Sequence, residues 1–154
     1  MQNQIKTKTR LAFIQFIFST FFSSSEILDD IVNFQNYFYK LSIPSIKKDK
    51  EAIINFNKNY FNKLTLIYDD FLKNNDVDHL IDPLINFDRK YKNWNILNKS
   101  IILAIFSELE ITKKEKIKIL INDYLNISKS LISKKELGML NAITDKYINE
   151  KKSI

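Results

Sequence analysis

The chain has one glycine and two prolines in 154 residues. That scarcity limits the folds open to it. Strand-rich folds need many tight turns, and tight turns draw on residues that tolerate unusual backbone angles. So few breakers point instead to helices joined by short polar links. Apolar residues at 45% and charged residues at 27% match a globular protein with a real core. The expectation is an all-α fold of about seven helices, in one domain over residues 1–154.

Local signals place the helices. Ser23 with Glu26, Thr112 with Glu115 and Ser133 with Glu136 each have capping-box spacing. The hydroxyl accepts from a free backbone N–H, and the carboxylate reaches back to the cap residue. Pro44 and Pro83 suit helix starts or the turns before them. With the apolar spacing, these marks predict helices over about 5–22, 27–41, 48–73, 77–87, 96–109, 114–131 and 135–150. The sixth has the clearest stripe: Ile117, Leu120, Ile121, Tyr124, Leu125, Ser128 and Leu131. Lys118, Asn122, Asp123, Asn126 and Lys129 fall mostly outside it. The third is apolar nearly all round and is expected to be central to packing.

The first residues allow two readings. Lys6, Lys8 and Arg10 precede LAFIQFIFSTFF, which has the look of a charged and then an apolar export segment. Gln15 interrupts the apolar run, no A-x-A pattern follows, and the run is too short to span a bilayer. The competing reading is an amphipathic first helix, with Ala12, Phe13, Phe16, Ile17 and Thr20 facing a core.

Catalytic chemistry finds little material. There is no Cys and only one His, His79, which sits at an expected helix start in DVDHLID. Asp76, Asp78 and Asp82 around it are explained by the helix dipole. A single Gly138 leaves no glycine-rich phosphate loop. No catalytic site, metal site or cofactor is expected. The lack of Cys fits a cytoplasmic protein.

Charge is more informative. Of a net +6, residues 1–10 carry +3 and residues 113–154 carry +5, which leaves the middle at −2. If the two ends of the chain pack together, they make one positive face suited to a polyanion. The alternative is two solvated faces on ordinary helices. Lys6, Lys8, Arg10, Lys134, Lys135 and Lys146 are the candidate phosphate contacts. Gln15, Phe18 and Asn141 are the candidate base contacts. Phe18 as core, or Asn141 as a buried amide between helices, remains open.

Residues 116–146 read KIKILINDYLNISKSLISKKELGMLNAITDK. The segment resembles the last two helices of the NusB family of transcription antitermination factors. That pattern runs roughly K-V-A-I-N-E-A-(apolar)-x-L-A-K-x-F, a polar loop, then F-V-N-G-(apolar)-L-D-K. Lys118, Ile121, Asn122, Lys129, Asn141, Asp145 and Lys146 match it without a gap, with Asp123 in the place of Glu. Arg10, Phe13, Gln15, Ile17 and Phe18 are similar to that family's first helix. NKSIILAIFSELE, with Glu108 and Leu109, resembles a further stretch.

The resemblance implies two packed three-helix bundles and an RNA face shared by the first helix and the end of the chain. It also implies boxA of nascent ribosomal RNA as ligand. The implied partner is the ribosomal protein NusE, within the Nus complex on RNA polymerase. The NusE surface would fall on the fourth to sixth helices, with Glu108 as a candidate contact. The chain departs from the pattern at Leu103 (Arg), Ile132 and Ala142 (Gly), Thr144 (Leu) and Lys116 (Pro). The alternative is a NusB-like helical module that binds RNA or protein without antitermination activity.

Overall fold

The computed structural model of the chain describes residues 3–41, 55–86 and 88–151. The described residues form seven α-helices and no strand. In order they are α1 (Asn3–Thr20), α2 (Ile27–Leu41), α3 (Lys58–Asn74), α4 (Val77–Ile81), α5 (Ile96–Leu109), α6 (Ile117–Ser128) and α7 (Lys134–Lys151). Single turns of tighter helix at Asp82–Leu84, Tyr91–Asn93 and Lys114–Lys116 lie in the connections.

Helices α1, α3 and α5 pack against one another, and so do α5, α6 and α7. Helix α5 therefore belongs to both groups, and α2 lies against α1 and α3. The central helix is thus α5, where the apolar pattern predicts the third. Every residue of 100–109 is buried. Its charges are limited to Lys99 and Glu108, and Ser100, Ala104 and Ser107 are small enough to admit close neighbours. Helix α3 is one-sided instead. Phe61, Leu64, Thr65, Tyr68 and Phe71 face inward, while Asn62, Lys63, Leu66 and Asp70 face solvent.

Helix α3 also starts later than the expected residue 48. Asn57 has an extended backbone and accepts from the Tyr60 N–H at 2.8 Å. An asparagine in that role ends the non-helical stretch and satisfies a free donor. The expected helical residues 48–54, and Pro44, lie outside the described residues. Pro83 sits in the first turn of Asp82–Leu84.

The three capping boxes differ in outcome. Ser133 and Glu136 form a reciprocal pair, with N–H to oxygen distances of 3.1 and 3.2 Å. Ser23 instead accepts from the Ser25 N–H and donates to Asp30, so its partner is not Glu26. Thr112 donates to the Glu108 carbonyl at 2.6 Å, which closes α5, and Lys113 precedes the next turn without a side-chain cap. Helix α6 ends at Ser128, short of the predicted 131, because the Leu131 and Ile132 N–H groups both turn back to the Ser128 carbonyl.

The apolar run of α1 is core: Ala12, Phe13, Ile14, Phe16 and Ile17 are all buried. Phe16 meets Phe34, Phe61 and Tyr68 edge to face. Such aromatic pairs add about 0.5–1.5 kcal/mol each beyond their buried area. Among the described residues, no helix is long and apolar enough to cross a membrane.

Candidate nucleic-acid interface

Arg10 and Glu108 lie at the centre of the arrangement. Arg10 points from α1 toward α5 and α6 and is 6% exposed; Glu108 is 1% exposed. The Arg10 Nε donates to both Glu108 oxygens at 3.0 and 3.1 Å, and Nη2 donates to Oε2 at 2.6 Å. Nη1 donates to Asp123 on α6 at 2.6 Å. Glu108 also accepts from the Tyr60 hydroxyl at 2.6 Å and the Tyr124 hydroxyl at 2.7 Å. Asp123 accepts from Thr7 at 2.8 Å.

Burial works against the charge on Arg10. Hydrogen bonds and attraction from Glu108 outweigh it and raise the guanidinium pKa above its ordinary value. Burial first, and then the Glu108 charge, push the Tyr60 and Tyr124 hydroxyls up, so both remain donors.

Two sequence expectations are corrected here. Arg10 is not a free phosphate contact, because it is 6% exposed and its guanidinium already holds two carboxylates. Glu108 is not a surface contact for a partner, because it is enclosed by Arg10, Tyr60 and Tyr124. Asp123 also leaves the solvent side of α6 to join them.

A groove of about 690 Å³ opens beside this cluster. Lys6, Lys63 and Lys116 line it, with the amides of Asn3, Asn122 and Asn126. The Lys6 ammonium lies 5.6 Å from the centre of the Tyr60 ring. Sequence reading identifies Lys6 but misses the others. Lys63 sits in a helix that reads as apolar nearly all round, and Asn122 is legible as a motif position off the apolar stripe but not as part of a groove.

The remaining candidates divide between two ends of the fold. Arg10 of α1 meets Glu108 near the end of α5, whereas Phe21, just past α1, lies by Lys99 near its start. So α1 runs opposite to α5. Helix α7 runs along α5, since Glu136 meets Asn95 and Asn98 while Tyr147 stacks on Phe106 at 3.9 Å. Lys6 and Lys8 are therefore at the far end of α5 from Lys134 and Lys135, about 20 Å away along its axis. The chief packing neighbours of α1 are α5, α3, α6 and α2, so the first and last helices meet mainly through α5. The expected single positive face is not built by direct docking of α1 on α7.

Lys8, Gln15 and Phe18 are exposed on one side of α1. Phe18 is thus not core; its ring leans on Phe22 at 5.3 Å. Lys134 and Lys135 are exposed at the start of α7. Asn141 is half-buried, and the Lys146 ammonium donates to the Leu84 carbonyl at 3.4 Å. His79 is exposed, with Nδ1 2.8 Å from Asp76.

Fold and site define an all-helical protein with a basic, amide-lined groove beside a buried ion-pair cluster. No family model and no solved structure matches the chain. Curated relatives match it over nearly their whole length. Transcription antitermination protein NusB of Rickettsia felis is 25% identical, covering 99% of this chain and 97% of that protein. The protein of the same name in Rickettsia typhi is 26% identical over the same shares. That of Rickettsia rickettsii is 24% identical over 96% of this chain and 95% of its own. This similarity over nearly the whole chain supports membership of the NusB family.

Proposed function

We propose that this protein is a transcription antitermination factor that works by holding single-stranded RNA, without catalysis. The observation that carries the reading is the full-length similarity to proteins named for antitermination. The groove adds physical support. Cations bind phosphates without regard to sequence, while amides and rings reach base edges and faces that a single strand leaves open. Lys6, Lys63 and Lys116 are suited to the first task, and Asn3, Asn122 and Asn126 to the second.

On this reading Lys8, Gln15 and Phe18 extend the contact along α1, and Lys134, Lys135, Asn141 and Lys146 supply it on α7. The ligand is boxA of nascent ribosomal RNA. The ribosomal protein NusE is the partner, and the pair acts in the cytoplasm within the Nus complex on RNA polymerase. Arg10 takes an indirect part: it fixes α1 against α5 and α6 so that Lys6 stays at the groove.

Fluorescence binding to boxA-type and scrambled RNA, with and without NusE, tests this. The expected result is preference for boxA, tightened by NusE. Equal binding to both RNAs under all conditions would overturn it.

A further inference from the structure

The two groups of RNA candidates, on α1 and on α7, are joined by a feature that neither the sequence pattern nor the groove explains. Just past α1, Phe21 and Phe22 are 39% and 69% exposed, beside Phe18 at 37%. The Lys99 ammonium sits 5.9 Å from the centre of the Phe21 ring and 5.3 Å from that of Tyr91. A hydrogen bond of 3.0 Å to the Lys92 carbonyl fixes it there. The Tyr91 ring meets Trp94 at 5.4 Å, and these two rings are buried, whereas Phe21 and Phe22 are open to solvent. Trp94 in turn walls a cavity of about 490 Å³ that also holds Arg89 and Lys135. Rings and cations thus follow one another from the end of α1 to the start of α7.

Building on the RNA reading above, we propose that this run of rings and cations is a second single-strand contact, which carries the RNA from α1 across to α7. Three observations favour a nucleic acid over a protein. Residues 88–99 hold four cations, Arg89, Lys90, Lys92 and Lys99, against the one acid Asp88. Large exposed rings beside cations form the usual platform for stacked bases, and stacking tolerates any base. Glu136, the acid inside the cavity, is already occupied by Asn95, Asn98 and the Ser133 N–H.

The contact explains how residues on two helices that meet mainly through α5 can serve one strand. The groove end supplies phosphate contacts and amides. At the other end Phe21 and Phe22 supply stacking and residues 88–99 supply cations, and the exposed side of α1 links the two ends over a helix of about 27 Å.

The test uses the full chain and a fluorescent boxA-type RNA, read by anisotropy. Two variants are compared with wild type: Phe21→Ala with Phe22→Ala, and Arg89→Gln with Lys135→Gln. All four side chains reach solvent, and thermal melts check that each variant folds. The ring variant is expected to bind at least about fivefold more weakly, the smallest effect of losing one stacked base. The charge variant is expected to lower the slope of log affinity against log salt by about 1.4, or 0.7 for each lost phosphate contact. Wild-type binding with both variants unchanged would sink this second contact and leave the RNA reading intact. No wild-type binding at all would sink the RNA reading, and the second contact with it. Variants that keep RNA affinity but lose NusE would make this a protein surface, and the proposal would fall.

Discussion

Replacing Arg10 with methionine removes the cation facing Glu108 and keeps most of the side-chain volume. Glu108 would then be a carboxylate at 1% exposure whose remaining partners are the Tyr60 and Tyr124 hydroxyls. Breaking a buried pair from one side costs about 3–5 kcal/mol, because the uncompensated charge stays behind. For a domain of this size, that lowers the melting temperature by about 6–20 °C. Asp123 limits the damage, since its side chain is 19% exposed and water can take over the lost bond. The assay is chemical denaturation of Arg10→Met, Glu108→Gln and the double variant. Once Arg10 is gone, removing the Glu108 charge costs less, so the double variant is more stable than the two losses added together. The coupling should fall within about 0.5–3 kcal/mol. Strict additivity, or a loss below about 1 kcal/mol for Arg10→Met, the range of exposed pairs, would refute the central role given to this contact.

Two further outcomes follow from local geometry. Gly138 lies exposed in α7 with nothing within 4 Å of an added Cβ. Gly138→Ala should therefore stabilise the chain by about 0.5–1 kcal/mol in denaturant unfolding, and a loss would reveal an unseen close contact. Glu136 is held down to about 2, chiefly by its bond from Asn98 and then by Ser133. A depressed carboxylate adds stability above its ordinary pKa, and loses it as pH falls toward the folded value. Thermal melts from pH 5 to about 2 should thus show a shallower acid decline for Glu136→Gln than for wild type. Parallel curves would contradict that link between α5 and α7.

Much of the helical layout was legible because it is local. The stripe from Ile117 to Tyr124 and the Ser133–Glu136 box depend on neighbours within a few residues. The interior of the site was not. Arg10 reads as a free cation because Glu108 and Asp123 lie 98 and 113 residues away. Nothing in the spacing around any of the three shows that they meet. Likewise, periodicity marks an apolar face but not its direction of travel. It could not tell that α1 opposes α5 while α7 follows it, which moves Lys6 and Lys135 to different ends. Phe18 was legible as a candidate because its ring follows Lys6, Lys8 and Arg10 on the same helix. Lys63, Tyr91 and Lys99 were missed because each gains meaning only from residues on other helices.

The most direct measurement is RNA affinity across a salt series for wild type and for Lys63→Gln with Lys116→Gln. The account predicts binding that weakens as salt rises, with a slope shallower by about 1.4 in the double variant. Binding indifferent to salt, or the same slope in both proteins, would contradict it.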